Sequence, residues 1–119
     1  MLGTFALSSG YYDAYYKKAL QIRSIVMNDF ENSFKKCDFI LSPVAPTVAY
    51  KLGEKSKNPL ETYMGDAYSV PVNIAGVPAI SVPCGRGEGN MPVGAQLIGP
   101  AFSEKMLYRV AAVLEEVSK

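Results

Sequence analysis

Residues 66–85 contain Pro71, Pro78 and Pro83, each preceded by valine, together with Asn73, Gly76 and Gly85, and only one acid, Asp66. This is more backbone restriction than a core segment needs, so the run positions something. Each proline fixes its own φ and drives the valine before it toward extended geometry. The run therefore predicts a short helix entered near Pro71, a stop at Gly76 and a strand over residues 79–82. Asp66 falls just upstream of that helix. Read from the residues alone, its carboxylate caps the helix by accepting from an otherwise unpaired amide of the first turn.

Other residue types capable of chemistry lack companions. Cys37 and Cys84 have forty-six residues between them and the chain has no histidine. That excludes the usual zinc spacings and any Cys-His or Ser-His pair within the chain. Without a base beside it, Cys84 reads as an inert thiol at a strand end. Ser81, alternating out of the apolar face of its strand, has no general base either. Tyr11, Tyr12, Tyr15 and Tyr16 beside Lys17 and Lys18 are the residue types of a base-stacking surface, yet their helical spacing favours core or interface packing. Thr47, in Pro43-Val44-Ala45-Pro46-Thr47 after an expected strand, sits where α/β proteins place ligand-contacting loops, a turn residue being the plainer reading.

Two amphipathic helices and three strands are expected to hold these residues in place. Over residues 12–36 the apolar positions Tyr12, Tyr15, Tyr16, Ala19, Ile22, Val26, Phe30 and Phe34 recur at three and four, predicting a long helix. Ser8 or Ser9 is its candidate cap, and Lys35-Lys36 suits the negative end of its dipole. Phe39-Ile40-Leu41 reads as a buried strand closed by Ser42-Pro43. Residues 44–61 read as a long surface loop, and residues 60–65 as a helical turn delivering Asp66. The Arg86-Gly87-Glu88-Gly89-Asn90 turn joins two apolar runs, 79–82 and 93–98, which favours antiparallel pairing. A last helix starts at Ser103 and carries Met106, Leu107, Val110, Ala111, Leu114 and Val117 on one side.

At 119 residues and 49% hydrophobic content, one domain is the expectation, and size does not exclude independent folding. A net charge of +1 gives no general field for nucleic acid. Lys51, Lys55 and Lys57, diluted by Glu54 and Glu61, read as a solvated loop. No run of eighteen apolar residues and no secretory signal is present, so a cytoplasmic, reduced setting with no membrane contact is expected. Three strands form at best part of a sheet, since an isolated one would leave two edges unpaired. The chain therefore reads as a piece of a larger α/β domain.

The 66–85 run, with Ser8-Ser9-Gly10-Tyr11-Tyr12-Asp13-Ala14-Tyr15-Tyr16 and Pro92-Val93-Gly94-Ala95-Gln96-Leu97-Ile98-Gly99, resembles the C-terminal end of amidase signature enzymes. The nearest likeness is to the A subunits of glutamyl-tRNA(Gln) amidotransferases. The resemblance implies an α/β fold, the C-terminal part of the amidase signature fold, with a mixed sheet covered by helices and incomplete on its own. Residues 1–119 would be the C-terminal part of a single amidase domain whose catalytic N-terminal part is absent. The family works through a serine, a second serine preceded by a cis peptide bond, a lysine, and oxyanion donors from a Gly/Ser-rich loop. All of these lie upstream of the matched portion, so no catalytic residue is assigned to this chain.

Asp66 matches the aspartate that faces the bound glutamine in tRNA-dependent members, where an α-ammonium group needs an anionic acceptor. The family's arginine for the α-carboxylate would fall just before Met1. The implied activity is glutamine hydrolysis with ammonia passed on to amidate glutamyl-tRNA(Gln) or, in some organisms, aspartyl-tRNA(Asn). The implied partners are glutamine, the B and C subunits of the amidotransferase and, indirectly, tRNA. No cofactor is expected on this chain, ATP and Mg being used by the partner subunit. The chain alone is expected to be inactive. A general carboxamide amidase fragment and a non-catalytic, self-associating scaffold are the alternatives.

Overall fold

The computed structural model describes residues 15–53 and 59–118. Helix α1 (Lys17–Phe34) follows a wider helical turn at Tyr15 and Tyr16. The expected start at Tyr12, with its serine caps, lies outside the described residues. The three-and-four spacing produces the helix, and Phe30 and Phe34, one turn apart, stack at 6.1 Å between ring centroids. Ser24 and Ser33 satisfy their hydroxyls by donating to the carbonyls four residues back, Leu20 and Asp29, the usual way a serine is accommodated inside a helix. Lys35 is the C-cap and Lys36 lies beyond it. The pair thus follows the helix instead of ending it, and Lys35 Nζ donates to Asn32 Oδ1 at 2.9 Å. No residue of α1 is buried.

Strand β1 (Ile40–Pro43), strand β2 (Ala79–Arg86) and strand β3 (Pro92–Ile98) form one sheet in the order β1-β3-β2. Both pairings are antiparallel, as the glycine-rich turn after Gly85 favours for the β2–β3 hairpin. Strand β2 runs past the expected end at Val82. Its register slips between Pro83 and Arg86, where a proline without an amide and Gly85 at φ 95° interrupt the ladder, as tolerated on a sheet margin. A short 3₁₀ turn, Glu88–Asn90, closes the hairpin.

Register sorts the side chains onto two faces, since residues directly opposite each other in a sheet point the same way. Leu41, Leu97 and Ile80 share one face with Ala95 and Val82. Helix α4 (Glu104–Val117) covers it: Leu107 and Ala111 are buried with Val82 and Leu97, and Phe39, Ile80, Val110 and Leu114 pack around them. The opposite face carries a polar row, Ser42, Gln96 and Ser81, across all three strands.

Helix α2 (Pro59–Gly65) and helix α3 (Val70–Ala75) fill the connection to β2. Residues 44–61 are thus not all loop, because α2 already begins at Pro59. Helix α3 packs on α1, burying Val72 and Ala75. Arg23 of α1 donates Nε to the Ile74 carbonyl at 3.1 Å, placing a cation at the carbonyl-rich end of α3.

One expectation is corrected by the packing. Strand β1 is not buried on both faces: Ile40 is half-buried and Leu41 is 62% exposed. Helix α4 lies over β2 and only the margin of β3, so its cover stops short of β1.

Candidate functional site

Asp66 occupies the turn between α2 and α3. Its main chain is tied at both ends. The amide donates to the Tyr63 carbonyl at 3.2 Å, and the carbonyl accepts from Ser69 N at 3.2 Å and Val70 N at 3.0 Å, with Ser69 Oγ at 3.4 Å as a further donor. Asn73 then locks the entry to α3 twice, its amide and its Nδ2 both donating to the Ser69 carbonyl, at 3.2 and 2.9 Å. Pro71 sits in the first turn, and Gly76, at φ 72°, ends the helix in the left-handed conformation. The backbone around Asp66 is therefore specified residue by residue.

The side chain of Asp66 is a different matter. It is exposed, and among the described residues its carboxylate makes no hydrogen bond or ion pair. The N-cap of α3 is Ser69, three residues on, with no side-chain cap bond. Asp66 consequently holds the turn through its carbonyl, and helix capping does not occupy its carboxylate. Among the described residues, clefts lie on either side of α3. One, of about 450 Å³, lies between α1 and α3 beside Tyr16, Arg23 and Asn73. The other, of about 430 Å³, lies beside Glu31, Lys35, Gly76 and Pro100. Asp66 lines neither of these two.

The turn is fastened to the sheet by a residue that the residue pattern alone did not single out. Gln96, only 8% exposed, donates Nε2 to the Tyr68 carbonyl at 3.1 Å and to Ser42 Oγ at 3.3 Å. A lone amide inside the apolar run 93–98 is the mark that would have found it, because a buried amide is costly unless hydrogen-bonded.

The remaining candidates stay apart from this constellation. Ser81 is exposed, and Cys84 is an exposed free thiol within β2. Cys37 donates Sγ to the Ser33 carbonyl at 3.3 Å. Thr47 lies exposed in the loop after β1. Tyr11, Tyr12, Lys55 and Lys57 fall outside the described residues. Among the described residues no three His, Cys, Asp or Glu side chains come together to hold a metal ion, and no helix is long and apolar enough to cross a membrane.

Comparison with known proteins shows the family and the fold. The family described as Amidase matches residues 1–108. The A subunit of glutamyl-tRNA(Gln) amidotransferase from Caldanaerobacter subterraneus is 58% identical over 119 residues, all of this chain but 24% of that protein. Its counterpart from Clostridium botulinum is 59% identical over the same share. The chain thus spans about a quarter of the length of these relatives, at their C-terminal end. The crystal structure of the corresponding protein from Thermotoga maritima superimposes with a TM-score of 0.83 at 42% identity, over 99% of this chain and 26% of that one. A crystal structure of an amidase at 24% identity, TM-score 0.78, covering 99% of this chain and 27% of its own, shares the fold.

Proposed function

The chain belongs to the amidase family, and we propose that it is the C-terminal portion of the glutamine-hydrolysing subunit of a tRNA-dependent amidotransferase, supplying one wall of the glutamine pocket through Asp66. The observation that carries this reading is the 58% identity maintained along the whole chain to a quarter of an amidotransferase relative. The geometry supports it: a carboxylate whose backbone is fixed at both ends, and whose oxygens have no partner among the described residues, is available to a ligand cation.

The division of labour follows. In the portion of the relatives that this chain does not cover, a serine attacks the side-chain amide, ammonia leaves, and water releases glutamate from the acyl-enzyme. Asp66 accepts from the α-ammonium group of glutamine. A hydrogen bond between charged groups is worth about 1.5 to 3 kcal/mol, which is enough to prefer glutamine over an amide without that cation. The B and C subunits complete the reaction in a cytoplasmic setting, with ATP and Mg used by the partner and tRNA as the eventual acceptor. Residues 1–119 form the C-terminal part of one amidase domain.

Two measurements test this. Purified residues 1–119 release no ammonia from glutamine, whereas the full-length subunit does. In the full-length protein, Asp66→Ala raises KM for glutamine about 10- to 100-fold, the range set by one charged hydrogen bond. Ammonia release by the isolated chain, abolished by the same substitution, would overturn the proposal.

A further inference from the structure

We infer that Gln96 is a positioning residue for the Asp66 carboxylate. It acts from the central strand through the Tyr68 carbonyl, and the inference rests on the pocket reading of Asp66 just given. Gln96 is 8% exposed and stands on the sheet face opposite α4, between Ser42 and Ser81 in register. Packing alone would be served by an aliphatic side chain, as at Leu97 and Ile98 beside it. The amide instead bridges two elements distant in sequence. Its Nε2 reaches Ser42 Oγ on β1 at 3.3 Å and the Tyr68 carbonyl at 3.1 Å.

Among the described residues, the bond to Tyr68 is the only hydrogen bond joining residues 66–69 to the sheet. Within the turn, the Asp66 carbonyl is bonded to Ser69 N and Val70 N, so residues 66–70 move as a unit. What fixes Tyr68 therefore fixes the origin of the Asp66 side chain. The sheet is the rigid body and the turn is its outrigger. Losing the donor frees the turn to shift relative to the α-ammonium group, which weakens a contact made alike in the ground and transition states and so raises KM without lowering kcat.

The test uses the full-length protein in complex with its partner subunits, with glutamine and with glutaramate, which is glutamine without its α-ammonium group, as substrates. Gln96→Met keeps the length and burial of the side chain and removes the donor. It is expected to raise KM for glutamine about tenfold, to leave kcat within about twofold, and to leave kcat/KM for glutaramate within about twofold. Added to Asp66→Ala, it changes KM for glutamine less than about twofold, because its route runs through that carboxylate.

Equal losses on both substrates, or effects of the two substitutions that simply multiply, would assign Gln96 a purely structural role and overturn the inference. Thermal melting monitored by circular dichroism separates either result from a poorly folded variant, since fewer folded molecules lower kcat for both substrates and leave KM unmoved. An unchanged KM in Asp66→Ala alone overturns the pocket reading itself. That failure is recognised without any Gln96 variant.

Discussion

Gly76, Gly99 and Ser103 separate three reasons why a residue type matters at one position. A β-carbon on Gly76 would meet nothing nearer than the Arg23 guanidinium at 3.8 Å, so only its φ of 72° resists substitution. Gly76→Ala is expected to cost about 1 to 2 kcal/mol through backbone strain alone, read as a lower thermal midpoint by circular dichroism. Gly99 is limited by space: a β-carbon there would fall onto Ser103 Oγ and within 3.2 Å of the Leu107 side chain. Ser103 is the N-cap of α4 as the sequence predicts, but its hydroxyl makes no cap bond and is buried without a partner among the described residues. An N-cap serine normally contributes about 1 kcal/mol. Here Ser103→Ala is expected to be neutral or stabilising by up to about 1 kcal/mol, because it removes an unsatisfied buried group. Destabilisation of more than about 1 kcal/mol in urea unfolding would show that the hydroxyl does cap the helix. The stop at Gly76 was legible from the residues, whereas the fate of the Ser103 hydroxyl depends on how closely Gly99 approaches it.

At the level of elements, α4 against the β2–β3 hairpin is the best-packed unit among the described residues. Leu107 is 3% exposed and lies against Val82 and Leu97. Leu107→Ala is expected to lower stability by about 2 to 5 kcal/mol, the cost of lost burial plus a cavity, measured as a fall in the unfolding midpoint. Met106 and Val117, placed by periodicity on the same helix face, are 42% and 79% exposed. Helical spacing identifies which residues are apolar together, but the width of the covered stripe is set by what lies opposite. The strands illustrate the same division. Hairpin pairing of β2 with β3 follows from the turn chemistry at residues 85–90, while β1 reaches β3 across more than fifty positions, a pairing no local pattern announces. The polar row Ser42, Gln96 and Ser81, and with it the anchor for the Asp66 turn, exists only because of that pairing.

The molecule as a whole is under-covered. Its accessible surface is 9432 Å², against about 6,300 Å² for a compact monomer of 12.9 kDa. Its radius of gyration is 17.4 Å, where about 13 to 14 Å is usual for this length. Among the described residues no large side chain is fully buried, while Leu41, Tyr63, Phe102, Tyr108 and Val113 are each more than 60% exposed. The isolated chain is accordingly expected to bind a hydrophobic dye and to self-associate in sedimentation. On the reading proposed above, supplying the N-terminal portion of an amidotransferase A subunit should suppress both. A monomeric, dye-silent chain with a sharp cooperative melt would contradict this. The identity of the elements, the stop at Gly76, the absence of imidazole chemistry and the singling out of Asp66 were all determined by the sequence, because spacing, proline and glycine act locally on the backbone. Which faces are covered, that the Asp66 carboxylate is released from capping, and that Gln96 holds its turn were decided only by tertiary structure, because burial and hydrogen-bond partners depend on segments far apart in the chain.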